Sequence, residues 1–287
     1  MSWIELKLRI PEEVLDNISA YLFAMGCEGM NVKKSSVVVY FSQMKWTNEI
    51  QTAITQYISH FVPMFSSKFL QVKSIKDKNW MELWRSNFKQ LRLTSRIIIK
   101  PPWDDYTAIP GEIVVTIDPK MAFGTGHHES TQLIIEQMEK IVNPETSVLD
   151  VGTGSGILAI IAEKLKAEKI MAIDNDPLAI KNARENAIVN ECQKLKLFAA
   201  PLELLESEEF DLVLANINRN VLIHYAPYFP LFMGLNAKIV LSGILLNDEN
   251  MMIDTYQKHG FKLIKKHAKK DWLSLIFELV EKKENEK

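Results

Sequence analysis

Ser147-Val-Leu-Asp150-Val-Gly152-Thr-Gly154-Ser-Gly156-Ile-Leu-Ala159 is the stretch on which the fold turns. It reads as a short apolar strand, a glycine turn, and the start of a helix at Ile157. Glycine adopts backbone conformations that a Cβ forbids and lets the main chain approach a ligand closely. A helix start behind such a turn presents free N–H groups to a carboxylate or phosphate. The spacing is G-x-G-x-G, and Ile157 stands where the dinucleotide fingerprint G-x-G-x-x-G wants its third glycine. An acidic residue, Asp150, stands at the strand end before the turn.

Downstream of that turn, short apolar runs recur at Lys169 to Ile173, Leu195 to Ala199, Asp211 to Ala215 and Lys238 to Ser242. Most are separated by ten to twenty residues of helical pattern, and Phe261 to Lys266 with Trp272 to Val280 form a terminal pair. This succession predicts an α/β domain over residues 113–287, an open, mostly parallel Rossmann-like sheet with helices on both faces. Upstream the pattern differs. Trp3 to Ile10 alternates apolar and polar residues as a half-buried strand does. Pro11 and Glu12-Glu13 then open a helix with Val14, Leu15, Ile18, Leu22 and Met25 on one face and Gly26 as its stop. Strands follow at Met30 to Val32 and Ser36 to Phe41, then a helix capped by Asn48, then a strand at Phe69 to Ile75. The order β-α-β-β-α-β predicts a small ferredoxin-like α+β domain over residues 1–76. Residues 77–112 read as a connector, in which Trp80, Trp84 and Phe88 form a helical stripe and Pro101-Pro102 end a strand.

Composition bounds the function. The chain has 287 residues, 47% of them hydrophobic, and 34 Lys+Arg against 36 Asp+Glu give a net charge of -2. That balance argues against a general nucleic-acid binder, which carries a basic excess. Residues 1–75 hold seven basic and six acidic side chains, which suits protein recognition better than an RNA clamp. Cys27 and Cys192 cannot build a disulfide framework. The N-terminus lacks a signal-peptide pattern, and no apolar run approaches the ~20 residues that cross a bilayer. The expectation is a soluble cytoplasmic protein, monomeric, with no membrane or direct nucleic-acid partner.

Three further segments carry chemistry. Asp174, in Ile173-Asp-Asn-Asp176-Pro177, ends the second strand, where a carboxylate can accept both ribose hydroxyls of an adenosine ligand, while Asp176 caps the next helix. In Phe123-Gly124-Thr125-Gly126-His127-His128-Glu129-Ser130-Thr131, adjacent histidines lack the spacing of a metal site. No metal is expected. Phe123, Gly124 and Thr125 read as a flexible lid, and Ser130 and Thr131 as a helix start. Asn216, in Ala215-Asn-Ile-Asn218, ends the fourth strand, where its carbonyl can accept a hydrogen bond from an amine. Acids at both turns, Asp150 and Asp174, with Gly152 and Gly154 between them resemble the S-adenosylmethionine-dependent methyltransferases of the Rossmann-like class.

Taken together, the segments are similar to one family, the ribosomal protein L11 methyltransferases. The matching stretches are Asn79-Trp…Trp84…Asn87-Phe88, Lys100-Pro-Pro-Trp103, Asp118-Pro…Ala122-Phe-Gly-Thr-Gly-His127, Asp150 to Ala159, Ile173 to Pro177, Ala215-Asn-Ile217 and Leu241-Ser-Gly-Ile244. They run in family order over nearly the whole chain. The resemblance implies that Thr131, Gly152, Asp174 and Asn216 contact S-adenosylmethionine. It also implies transfer of methyl groups to lysines and the N-terminal amine of ribosomal protein L11, recognised by the N-terminal domain. Thr153 departs from a frequent Cys, and Ser130 from a frequent Thr.

Methyl transfer from a sulfonium is an in-line displacement, so catalysis is chiefly positioning, with Asn216 orienting the nitrogen and no dedicated general base. The alternatives are methylation of another protein lysine or of a nucleobase. Nucleobase amine methylators tend to carry Asn-Pro-Pro-aromatic, whereas Ile217-Asn218 follows Asn216 here.

Overall fold

The computed structural model describes residues 2–8, 10, 18, 21–23, 25–33, 36–62, 65–66, 69–76, 89–118 and 124–282. The chain forms two compact units, residues 1–87 and 88–287.

In the smaller unit, β1 (Ser2–Leu8), β2 (Gly29–Lys33), β3 (Ser36–Ser42) and β4 (Leu70–Lys76) form one sheet in the order β2-β3-β1-β4. Every pairing in it is antiparallel. This is the ferredoxin-like arrangement that the element order predicts. Alternation along β1 sends Ile4, Leu6 and Leu8 into a core with Val37, Val39 and Phe41 of β3. Helix α1 (Asn48–Phe61) lays Ile54 and Ile58 on that core. Its cap is Thr47, not the predicted Asn48: the Thr47 hydroxyl accepts from the Ile50 N–H. Of the helix predicted from Pro11, Ile18 and Tyr21 to Phe23 are helical, and Pro11, Val14 and Leu15 lie outside the described residues. Tyr21 stacks on Tyr57 of α1 with centroids 3.7 Å apart.

The larger unit opens with structure in the segment read as a connector. Strands β5 (Leu91–Arg92), β6 (Ile97–Lys100) and β7 (Ile113–Thr116) form a three-stranded sheet, with β6 and β7 parallel. Ile97 and Ile99 pack with Val115, Ile134 and Ile157 in one apolar cluster, which binds this sheet to the rest of the larger unit. Trp80, Trp84 and Phe88 lie outside the described residues.

The main sheet has seven strands: β8 (Ser147–Val151), β9 (Lys169–Asp174), β10 (Leu195–Ala199), β11 (Phe210–Asn216), β12 (Met233–Leu245), β13 (Phe261–Lys269) and β14 (Trp272–Leu279). Their order is β10-β9-β8-β11-β12-β14-β13. The first five are parallel, and β14 runs antiparallel between β12 and β13. Both faces are covered. On one, Leu149, Val213, Leu241 and Phe277 share a core with Leu222, Tyr256 and Phe229. On the other, Val148, Leu212 and Val240 meet α2 (Glu129–Ile141) and α3 (Ile157–Lys164) through Ile134, Met138 and Ile160. Burial on both faces is why the inner strands β8, β11, β12 and β14 read as apolar runs rather than as alternation, whereas the edge strands β10 and β13 are largely exposed. The chain fills one side of β8 with β9 and β10, then returns to the other side with β11. The gap left at the carboxyl ends of β8, β9 and β11 is the topological switch point, where open α/β sheets bind ligands.

Among the described residues, no helix is long and apolar enough to cross a membrane.

Candidate active site

A cavity of about 500 Å³ opens at that switch point. Gly152 and Gly154 of the glycine turn, Asp174 at the end of β9, Asn216 at the end of β11, and Ile217 and Asn218 after it line the cavity. The turn is anchored to β9: the N–H groups of Gly152 and Thr153 both donate to the Ile173 carbonyl at 2.9 Å. Gly152 sits at φ +74°, and a Cβ there would fall 2.2 Å from Ile217 Cγ2. Only glycine therefore lets the β11 loop close over the turn.

Asp174 holds the rim together. Its Oδ2 accepts from the Gly154 N–H at 2.9 Å and its Oδ1 from the Asp176 N–H at 3.0 Å. A carboxylate offers about four lone-pair sites, so capacity remains for a ligand's hydroxyls. Asp176 caps α4 (Pro177–Val189) by accepting from the Leu178 N–H at 2.8 Å, with Pro177 in the first turn, as predicted.

Asn216 is fixed from behind. Its Nδ2 donates to Thr131 Oγ1 at 3.1 Å, and Thr131 is itself fully buried. Asn216 Oδ1 is buried with no hydrogen-bond partner among the described residues. A buried carbonyl oxygen left unmatched costs free energy until a donor arrives. Gly243 of β12, at φ +81°, supports the same loop; a Cβ there would stand 2.6 Å from the Ile217 carbonyl oxygen.

The other predicted residues divide. Thr131 stands behind the cavity wall and acts on it through Asn216. Gly124 and Thr125 are not on the wall; the Gly124 carbonyl accepts from Ser155 Oγ at 2.5 Å, which ties the segment to the glycine turn. Phe123 lies outside the described residues.

Asp150 sits beneath the turn and is not among the residues that line the cavity. Its side chain points down under the turn, fully buried, and Oδ2 accepts from the Thr153 hydroxyl at 2.6 Å. The reason is strand parity: Leu149 and Val151 share one face of β8, which leaves Asp150 on the other with Val148, beneath α3. Burial pushes its pKa up to about 7, against the opposing pull of the Thr153 hydroxyl and the Ala159 N–H, with the charge of Asp174 adding to the rise. Oδ1 makes no hydrogen bond among the described residues. Thr153 thus supplies the turn's internal bond.

The histidine pair diverges. His127 faces the carbonyls of Lys89 and Thr125 at 3.1 and 3.3 Å. His128 caps α2, which starts at Glu129 rather than at Ser130; its Nδ1 accepts from the Ser130 N–H at 3.3 Å. His128 also meets Trp272 edge to face at 4.5 Å, and both line the cavity. Sequence reasoning did not single out Trp272, Tyr225, Asn175 or Gly243 as site residues. Nor did it single out Asn186 and Asn190, spaced four apart on α4. Asn186 Nδ2 donates to the Ser155 carbonyl and its Oδ1 accepts from the Asp118 N–H. Asn190 makes the same two-way clamp on the Thr116 backbone. Their spacing, two asparagines one turn apart on a single helix, is the signal in the sequence that would find them.

A parallel sheet in this strand order, with a glycine turn after β8, an acid ending β9 and an antiparallel β14, defines a class I S-adenosylmethionine-dependent methyltransferase. Residues 2–279 match the family described as Ribosomal protein L11 methyltransferase (PrmA). The chain belongs to that family. Among relatives, Ribosomal protein L11 methyltransferase of Ruminiclostridium cellulolyticum is 33% identical over 96% of this chain and 98% of its own length. The protein of the same name from Geotalea daltonii is 34% identical over 97% and 99%. A solved structure of ribosomal protein L11 methylase from Lactobacillus delbrueckii subsp. bulgaricus has a TM-score of 0.64 and 29% identity, covering 68% of this chain and all of that one.

Proposed function

We propose that this chain transfers methyl groups from S-adenosylmethionine to lysine side chains and the N-terminal amine of ribosomal protein L11. The observation that carries this is Asn216: it lines the cavity together with the glycine turn and Asp174, its amide is held by Thr131, and its Oδ1 has no hydrogen-bond partner among the described residues.

The residues fit the cofactor. Asp174 has free acceptor capacity for ribose hydroxyls, and the backbone at Gly152 and Gly154 forms the cavity wall without a side chain in the way. S-adenosylmethionine, when bound, supplies an electrophilic methyl group on a sulfonium. The chain's own part is to bind, orient and exclude water. Thr131 holds the Asn216 amide so that Oδ1 accepts an N–H of the incoming amine and aims the nitrogen lone pair along one line. Such positioning accounts for much of the barrier reduction in group transfer. The amine must arrive neutral, and a free lysine has a pKa of ~10.4. Desolvation in a cavity walled by Trp272, Ile217 and Val221 favours the neutral form. The Trp272 face suits the aliphatic stem of a lysine, and His128 keeps that ring in place. In this reading residues 1–76 recognise the protein substrate.

The test is incorporation of labelled methyl groups into purified ribosomal protein L11, beside whole-cell protein and RNA. Label in L11 that is lost in Asn216→Ala is the expected result. Label confined to RNA would replace the reading with nucleobase methylation.

A further inference from the structure

An ion pair joins the starts of two helices. Arg219 is the first residue of α5 (Arg219–Tyr225), a helix with no acid in its first turn. A cation there opposes the helix dipole. Asp248 ends the 3-10 turn Leu246–Asp248 that runs into α6 (Glu249–Lys258), and its backbone is already helical, so its side chain makes no cap bond. Its Oδ1 accepts from Arg219 Nη1 at 2.7 Å. Asn220 orients the guanidinium, its Oδ1 accepting from both Nε and Nη2 at 3.2 Å. Local preference given up at Arg219 for this contact marks an element whose purpose is not the stability of α5.

The contact sits next to the wall that matters. Asn216, Ile217 and Asn218 run directly into Arg219, and all three line the cavity. The first is tied to Thr131, and the second is wedged between Gly152 and Gly243. Asn218 caps α5 by accepting from the Asn220 N–H at 2.9 Å. The loop's far end is therefore only as fixed as the start of α5. Asp248 follows β12, the strand whose Gly243 already touches Ile217, so the ion pair closes the same support from the other side.

We infer that the Arg219–Asp248 pair is a positioning device for methyl transfer, holding the Asn216–Asn218 wall so that Asn216 meets the acceptor amine in one geometry. This deepens the methyl-transfer reading and rests on it. Arg219 is 40% exposed and Asp248 16%, and such a pair contributes little to folding. Its removal is expected to act on rate rather than on stability.

The experiment uses the full chain with Arg219→Ala, Asp248→Ala, the double variant and Arg219→Lys. Measured are kcat and KM for methyl transfer, S-adenosylhomocysteine affinity by calorimetry, Tm, and hydrogen exchange over residues 216–225. Each single alanine variant should lower kcat about tenfold, as a small misplacement of a reacting group does. The double variant should be no worse than either single, because one contact is removed once. Cofactor KM, affinity and Tm should stay near wild type, exchange over residues 216–225 should quicken, and Arg219→Lys should recover part of kcat. Unchanged kcat and exchange in Arg219→Ala, losses that multiply in the double variant, or a kcat loss that tracks a falling Tm would each overturn the inference. A wild-type protein inactive on every acceptor would refute the methyl-transfer reading, and exchange would then decide the positioning device alone.

Discussion

Replacing Asp150 by Asn tests the electrostatics under the glycine turn. The wild-type carboxyl is fully buried, with one oxygen on the Thr153 hydroxyl and a pKa raised from 3.8 to about 7, chiefly by burial. A raised folded-state pKa means that the native protein holds the proton after the unfolded chain has released it. The stability this confers is full below pH 3.8 and is lost as pH rises toward 7. The whole shift corresponds to about 4 kcal/mol, and about 2 kcal/mol of it is lost between pH 5 and 7. Asn keeps the acceptor for Thr153 and removes the titration. Its amide nitrogen has no partner at the Oδ1 position, so an offset of about 1–3 kcal/mol between the proteins at any one pH is expected and decides nothing. The slope decides. Urea unfolding of both proteins at pH 5, 6, 7 and 8 should show wild type losing about 2 kcal/mol relative to Asp150→Asn from pH 5 to 7. The difference should then flatten by pH 8. A pH-independent difference, or one that favours wild type as pH rises, would refute the placement of a carboxyl whose burial outweighs its hydrogen bonds beneath the turn.

Three other outcomes follow from the same geometry. Asn216→Ala should lower kcat about 10²–10³-fold, the cost of removing one aimed hydrogen-bonding group. S-adenosylhomocysteine affinity should fall far less than kcat, and a loss of cofactor binding by calorimetry that accounts for the whole effect would contradict the orienting role. Gly152→Ala forces a Cβ to 2.2 Å from Ile217 Cγ2 at φ +74°. It should cost about 2–4 kcal/mol in urea unfolding and weaken cofactor binding together, from overpacking and backbone strain. A fully stable variant would show that the loop moves away freely. Asp174→Ala removes the acceptor for two backbone N–H groups and should weaken cofactor affinity about 10–100-fold. Unchanged affinity by calorimetry would remove Asp174 from the binding site.

The main sheet was legible because strands buried on both faces must be apolar along their whole length, and because helices need ten or more residues between them. Ser147 to Val151, buried in this way, has the boundaries the pattern predicts, as does the exposed edge strand Leu195 to Ala199, and the small unit's strand order follows from its β-α-β-β-α-β succession. Of the sheet of β5, β6 and β7, only the strand that Pro101-Pro102 end was read. The sheet's strands have two to four residues, too short for a period, and their partner α2 begins only at Glu129.

At the site the division is finer. The sequence alone determined the G-x-G-x-G turn, Asp174 at a strand end and Asn216 at another, since each follows from residue type and place in an element. Side-chain direction was beyond it. Whether a strand-end acid meets ligand or core depends on which face each neighbour takes, and for Asp150 the covering helix α3 decided it. Gly243, Trp272 and the Arg219–Asp248 contact join elements far apart in sequence. Local pattern carries no record of such distances. Only the packing of β12, β14 and the start of α5 around one cavity turned these residues toward Asn216 and its neighbours.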